Sequence, residues 1–231
     1  MTEQPEMTER DQIFGCGVMT SFLLRRARFA QRLLPALAFA LTSHAALAEP
    51  LVQVYAIRGF AGVMFSRGMN QLCDELARIP RVACAVADFH EEAALERRGA
   101  AAIAAGQRLV LVGHSLGAHA ALRIAAAMPG DVPLIVTIDP NWFPEPPSVP
   151  PNARTVLNYY QDFDVLGRAR LQPGTAFRGE LHQFQRREAH VLIDRSPEIH
   201  SVIVSHTRRI VASLTPAAAP APAPQARTPR R

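Results

Sequence analysis

A serine between two glycines is the residue best placed for nucleophilic chemistry in this chain. Gly113-His114-Ser115-Leu116-Gly117 follows an aliphatic run over 109–112 and precedes a helical pattern over 116–128. A G-x-S-x-G sequence between a strand and a helix predicts a sharp turn that exposes the serine hydroxyl. The flanking glycines avoid side chains that would collide with the adjoining strand and helix. The pattern therefore predicts Ser115 as a nucleophile.

Two backbone amides are expected to stabilise an oxyanion formed by attack of that serine. The amide of Leu116 begins the following helix and points toward the developing negative charge. The second donor is expected in the glycine-containing loop over 58–62, where the backbone can approach a substrate closely. We predict that this donor is the amide of Phe60. Arg58 is expected to brace the loop by hydrogen bonds, with contact to an acidic substrate group as the alternative.

The serine hydroxyl also needs a general base, and histidine is the usual one. On a sheet with the nucleophile at its edge, the base is expected just before the final helix. His190 has this position, because the last helical pattern begins near Ser196. His200, which lies inside that helix, is the alternative base.

An acid is needed to orient the imidazole of the base, and two aspartates are candidates. Asp139 directly follows the predicted strand over 134–138, and Pro140 stops further pairing of that strand. Asp164 follows the next predicted strand, over 155–159, and is the alternative. The position of Asp139 at its strand end favours it, and the chain order Ser, Asp, His holds for both choices.

The elements around these residues alternate between strand and helix. The predicted strands are 51–57, 82–87, 109–112, 134–138 and 155–159, and the predicted helices are 69–77, 93–105, 116–128 and 196–214. This alternation predicts an α/β fold with a mostly parallel central sheet and helices on both faces. Active groups collect at the carboxyl ends of the strands in such a sheet.

The two ends of the chain have compositions that differ from the centre. Residues 1–48 contain basic residues, a short apolar run and Ala46-Leu47-Ala48, which predict a signal peptide with Met19 as a possible true start. Residues 215–231 are rich in proline and alanine, which predicts a disordered tail. The predicted domain is therefore 49–214. We expect export to the periplasm or secretion from a bacterial cell, with no stable membrane span once the signal is removed.

Composition excludes several other classes of function. The chain has 231 residues and a formal net charge of +5, and all 25 basic residues are arginines scattered along the sequence. No basic stripe indicates nucleic-acid binding. No ligand spacing indicates a metal or a cofactor. Cys73 and Cys84 remain after the predicted signal, and the sequence leaves open whether they form a disulfide or two free thiols.

The motifs together resemble the α/β-hydrolase superfamily, and within it the lipases and esterases. The stretch over 113–120 resembles the nucleophile turn of the pancreatic-lipase group, and Ile138-Asp139-Pro140 resembles its acid site. Two departures are Arg58, where the family usually has histidine, and the short proline-rich stretch over 141–152. That stretch predicts a minimal fold with no large lid and an open acyl pocket.

This resemblance implies hydrolysis of a small-molecule carboxylic ester or thioester through an acyl-enzyme, without a cofactor. An acyltransferase or a peptidase would use the same residues. The alternative from another class is an exported binding or envelope protein that has the fold without catalysis. The sequence leaves the natural substrate and the oligomeric state open.

Overall fold

A single sheet of parallel strands organises the part of the chain that the structure, a computed structural model, describes: residues 49–163 and 165–215. The strands are β1 (Val52–Arg58), β2 (Val82–Asp88), β3 (Arg108–His114), β4 (Val132–Ile138), β5 (Ala153–Tyr160) and β6 (Glu180–Gln185). Their order across the sheet is β2-β1-β3-β4-β5-β6, and every neighbouring pair is parallel. The carboxyl ends of all these strands therefore lie at one edge.

Helices cover both faces of the sheet. They are α1 (Gly62–Phe65), α2 (Gly68–Leu76), α3 (Glu92–Ala104), α4 (Leu116–Ala127), α5 (His190–Ile193) and α6 (Pro197–Leu214), with a 3₁₀ turn at Phe89–Glu91. Buried side chains of α2 and α6 pack on one face, and those of α3 and α4 pack on the other.

Strand β3 shows why the sheet needs both layers. Val110 and Val112 belong to the core formed with α2 and α6, whereas Leu109 and Leu111 belong to the core formed with α4. Successive strand residues point to opposite faces, so an all-aliphatic strand buries both. The prediction of a mostly parallel sheet with helices on both faces is confirmed.

The sequence-based element list missed strand β6. Its residues, Glu180 to Gln185, are all exposed or half-buried, because β6 is an edge strand. It contains few aliphatic residues, so it has no apolar run of the kind that marks the central strands. The segment before the last helix is also more ordered than expected, since His190 begins the short helix α5 rather than lying in a loop.

The connection from β4 to β5 contains no helix over 139–152, all of which the structure describes. This agrees with the predicted absence of a large lid. Within the described ranges, no helix is both long enough and apolar enough to cross a membrane. The predicted signal peptide over 1–48 and the predicted tail, apart from Thr215, lie outside the described residues.

Cys73 and Cys84 form a disulfide, with their Cα atoms 5.5 Å apart. The bond joins α2 to β2, which settles the choice that the sequence left open between a disulfide and free thiols. A cross-link of this kind restricts the unfolded chain and so raises the free energy of unfolding.

Candidate active site

Ser115 lies at the turn between β3 and α4 with a backbone that non-glycine residues rarely adopt. Its φ and ψ are 58° and −125°, and its amide donates to the carbonyl of Ile138 at 3.0 Å. A Cβ on Gly113 would lie 2.1 Å from the carbonyl oxygen of Gly117, and one on Gly117 would lie 2.2 Å from that of Ile57. Both glycines are therefore required for this strained turn.

A chain of hydrogen bonds joins the predicted nucleophile, base and acid. His190 Nε2 lies 3.1 Å from Ser115 Oγ, and His190 Nδ1 lies 2.8 Å from Asp139 Oδ2. A carboxylate oxygen only accepts, so Nδ1 donates to Asp139 and Nε2 is the ring nitrogen that faces the serine hydroxyl. The structure thus brings together Ser115, Asp139 and His190. In the sequence, Asp139 lies 24 residues after Ser115, and His190 lies 51 residues after Asp139.

Asp139 is fully buried and is held by several donors besides His190. The backbone amides of Gln161 and Arg168 each donate to Oδ1 at 3.2 Å, and Gln161 Nε2 donates to Oδ2 at 3.1 Å. These bonds compensate for the loss of water around the carboxylate. They also fix a residue whose φ is 46°, in the left-handed region.

Gly167 makes room for the Asp139 carboxylate. A Cβ at this position would lie 2.0 Å from Asp139 Oδ2 and 2.1 Å from Oδ1. Sequence reasoning missed both Gly167 and Gln161, because neither belongs to a motif and both meet Asp139 only through the packing of the segment after β5.

The loop after β1 lies directly against the nucleophile. A Cβ on Gly59 would be 2.6 Å from Ser115 Cβ, so only glycine allows this approach. The Gly59 amide donates to Ser66 Oγ at 3.2 Å, which leaves the amide of Phe60 as the next donor along the loop. Leu116 is the first residue of α4, and the amides of a first helical turn have no acceptor inside the helix. Phe60 follows Gly59 and Leu116 follows Ser115 in the chain, and the assignment of their amides as oxyanion donors stays a prediction.

Arg58 braces the end of β1, as expected from the sequence. Its Nε and Nη2 donate to the two carboxylate oxygens of Asp88, each at 2.9 Å. Asp88 ends β2 directly opposite Arg58 in the sheet. The guanidinium is paired with Asp88 and locks the start of the loop that carries Gly59 and Phe60.

His114 connects the loop after β1 to the base. Its Nε2 donates to the carbonyl of His190 at 2.9 Å, so its Nδ1 accepts from Ser66 Oγ, 2.8 Å away. Ser66 in turn accepts from the Gly59 amide, which completes a buried relay. Burial, followed by the proximity of His190, lowers the pKa of His114 to about 3. This ring is therefore neutral and keeps one tautomer.

Asn141 is a further residue that the sequence analysis missed. The structure places its Oδ1 2.8 Å from Ser115 Oγ, as acceptor of the hydroxyl proton. His119, in the turn of α4 after the nucleophile, donates from Nε2 to the Asn141 carbonyl at 3.0 Å and so fixes its backbone. The only available signal was its position two residues after Asp139.

Of the two alternative residues, the structure describes the alternative base, His200. His200 lies in α6, where Nε2 donates to the carbonyl of Asp194 at 2.8 Å and Nδ1 lies 3.3 Å from Glu75 Oε1. The alternative that used His200 as the base is therefore wrong, because a helix interior directs this ring to α2 instead of Ser115. Asp164, the alternative acid, lies outside the described residues.

The arrangement suits general-base activation of a serine with amide donors beside it. Among the residues described, no group of three or more histidine, cysteine, aspartate or glutamate side chains is arranged to hold a metal ion. The buried charge at the site is the Asp139 carboxylate, and its partners are all donors from the protein itself.

Solved structures share this architecture at low sequence identity. An esterase domain from a Rhodothermus marinus protein aligns with 70% of this chain and 88% of that one, at 18% identity and a TM-score of 0.50. An α/β serine hydrolase homologue from Coxiella burnetii covers 68% and 85%, at 16% identity and 0.49. A serine hydrolase without a lid from Xanthomonas campestris covers 75% and 87%, at 16% identity and 0.45.

No protein-family model matches the sequence, and a search of curated proteins finds no significant relative. The fold assignment therefore depends on three-dimensional similarity and on the observed sheet. The parallel strand order, the strained serine between β3 and α4, and the alignment with the Rhodothermus marinus domain show that the chain has the α/β-hydrolase fold.

Proposed function

We propose that the protein is a serine hydrolase that cleaves carboxylic ester or thioester bonds through an acyl-enzyme. The observation that carries this proposal is the hydrogen-bond chain from Ser115 through His190 to buried Asp139. Ser115 is buried, at 6% exposed, rather than exposed as the sequence pattern predicts. A buried turn serine with a purely structural role needs neither an oriented imidazole nor a carboxylate held by backbone amides.

In the proposed first step, Ser115 Oγ attacks the acyl carbon while its proton passes to His190 Nε2. The electron pair of the carbonyl bond moves to oxygen, where the amides of Phe60 and Leu116 donate to it. One such donor lowers the barrier by roughly 3 kcal/mol. The intermediate then collapses, and the leaving alcohol or thiol takes the proton from His190.

Water attacks the resulting acyl-enzyme in the second step, with His190 again accepting a proton and returning it to Ser115. Asp139 holds the Nδ1 proton throughout, so the Nε2 lone pair faces the serine.

Labelling by a fluorophosphonate probe, which reacts with activated serines, tests the proposal. We expect the protein to be labelled and to hydrolyse p-nitrophenyl esters, and we expect Ser115→Ala to lose both properties. Ser201→Ala, a change at an exposed serine on α6, is the matched control. Equal labelling of the protein and Ser115→Ala would overturn the proposal. Unlabelled protein with no turnover would favour the non-catalytic binding protein.

We also propose that residues 1–48 direct export and that the mature chain begins near Glu49. The pattern of residues 25–48 and the disulfide between Cys73 and Cys84 support this, since disulfides persist in oxidising compartments. Expression of the full chain in a Gram-negative host, followed by fractionation and N-terminal sequencing, tests it. Full-length protein confined to the cytoplasm would contradict export.

A further inference from the structure

Among the described residues, most exposed large hydrophobic side chains lie at the edge of the sheet where Ser115 lies. Twelve such side chains occur among the described residues, and ten of them lie in segments at the carboxyl edge of the sheet. We call these ten the apolar rim: Phe60, Val63, Met64, Phe65, Trp142, Phe143, Phe163, Val165, Leu166 and Leu192. Scattered exposed hydrophobics are common, whereas a cluster of this kind marks an interaction surface.

The sheet order explains how the rim surrounds the nucleophile. Strand β3, which ends beside Ser115, lies between β1 on one side and β4 and β5 on the other. Four rim residues follow β1, two follow β4 and three follow β5, so the apolar side chains flank Ser115 from both sides. Leu192 belongs to α5, the helix that His190 begins.

The exposure within the rim is large. Phe60, Phe143 and Val165 are 72%, 74% and 73% exposed. The two stretches nearest the nucleophile, 60–66 and 140–144, contain no charged residue. Contact of the side chains in these two stretches with hydrocarbon would remove them from water without desolvating a charged residue of either stretch.

We propose that the apolar rim docks the protein on the surface of an aggregated acyl ester, such as a lipid bilayer or micelle, so that the ester reaches Ser115 from that surface. The proposal deepens the proposed function, because it assigns the substrate class of the same site. The position of rim residues on both sides of Ser115 favours this occupant. A protein partner or second copy covering the whole rim would close access to Ser115, whereas a lipid aggregate contains the ester.

Docking without a lid follows from the same geometry. The connection over 139–152 has no helix, and the rim is exposed in the unbound protein. Binding therefore needs no opening step, and activity on a dissolved ester is expected without an aggregate.

The test uses the full chain with Ser115→Ala, so that vesicle lipids are not consumed and binding is measured independently of catalysis. The rim variant adds Met64→Gln and Val165→Asn, one change on each side of the nucleophile. Val202→Asn on α6, outside the rim, is the matched control, with Val202 37% exposed. Co-sedimentation with phosphatidylcholine vesicles, which carry no net charge, is the measurement.

We expect the Ser115→Ala chain to bind, the rim variant to bind about 10-fold more weakly, and the Val202→Asn control to bind like the parent. Equal binding of all three chains would overturn the proposal. Loss of a dimer in the rim variant, with no vesicle binding by any chain, would also overturn it and would assign the rim to self-association.

A second measurement separates this proposal from the proposed function. Met64→Gln/Val165→Asn with Ser115 intact is expected to hydrolyse dissolved p-nitrophenyl acetate like the parent and to lose activity only on vesicle-borne esters. Vesicle binding that depends on the rim, in a chain that hydrolyses no ester, would support docking while refuting catalysis.

Discussion

Ser115 Oγ lies 2.8 Å from Asn141 Oδ1 and 3.1 Å from His190 Nε2, so two acceptors compete for one hydroxyl proton. When the proton points to Asn141, the bond to the base is not made. Rotation of the Asn141 amide by half a turn would instead present Nδ2–H to Oγ and release the hydroxyl proton to His190. Asn141 is therefore expected to control whether the hydroxyl proton points to His190.

Replacing Asn141 with aspartate tests this role. The carboxylate of Asn141→Asp has no N–H and would place negative charge beside the oxygen that loses its proton. We expect kcat for a dissolved ester to fall about 100-fold with little change in KM, because negative charge beside Ser115 opposes formation of the anionic tetrahedral intermediate. Asn141→Ala should lose less activity. An Asn141→Asp enzyme with normal kcat would refute this role.

The relay from Gly59 through Ser66 and His114 to His190 predicts a second effect. Ser66→Ala leaves the buried Gly59 amide and His114 Nδ1 without their hydrogen-bond partner, and each unsatisfied group costs about 1–3 kcal/mol. We expect a lower free energy of unfolding in urea, together with slower fluorophosphonate labelling of Ser115. Exposed Ser201→Ala should change neither quantity. If Ser66→Ala were destabilised but labelled at the normal rate, the relay would be structural only.

Gly167 is predicted to tolerate no side chain. Gly167→Ala would place a Cβ 2.0 Å from Asp139 Oδ2, so the carboxylate must move away from His190. We expect kcat to fall at least about 100-fold, since the acid fixes the tautomer of the base. Gly130→Ala is the control, because its Cβ would meet its nearest neighbour, Ile103 Cγ2, at an ordinary 3.8 Å. Normal turnover by Gly167→Ala would show that the orientation of Asp139 is not needed.

Asp194 predicts a pH dependence of stability. It accepts from the Gly68 amide at 2.7 Å, and burial raises its pKa to about 6 against the lowering effects of that bond, Arg195 and His200. A carboxyl whose folded pKa lies above its unfolded value stabilises the protein only while protonated. This contribution is complete below the unfolded value of 3.8 and is lost as the pH rises through about 6.

Asp194→Asn should therefore stabilise the protein more at pH 7.5 than at pH 4, by roughly 2 kcal/mol, since one pKa unit corresponds to about 1.4 kcal/mol and pH 4 lies just above the unfolded pKa. Urea unfolding of both proteins at the two pH values measures the difference. Asp74→Asn, at an exposed position on α2, is the control. An identical difference between parent and Asp194→Asn at both pH values would contradict the assignment of a buried, easily protonated carboxyl.

The central strands and the nucleophile turn were predictable because their signals are local. The aliphatic residues of β3, the glycines on either side of Ser115 and the helical pattern that follows occupy one continuous stretch. The order of elements then placed the ends of β1, β3 and β4 at one edge, since parallel strands direct their carboxyl ends the same way. This was sufficient to favour Asp139 and His190 over their alternatives.

Tertiary structure alone decided the remaining features. Strand β6 is polar and exposed, so its pairing with β5 leaves no hydrophobic pattern in the sequence. Asn141, Gln161 and Ser66 reach the site through side-chain contacts with residues 22 to 48 positions away in the chain. Such contacts depend on where loops cross the edge of the sheet, and residue type and spacing do not encode that path. The apolar rim is likewise decided by tertiary structure, because its members come from four separate segments that reach one edge of the sheet only when the strands align.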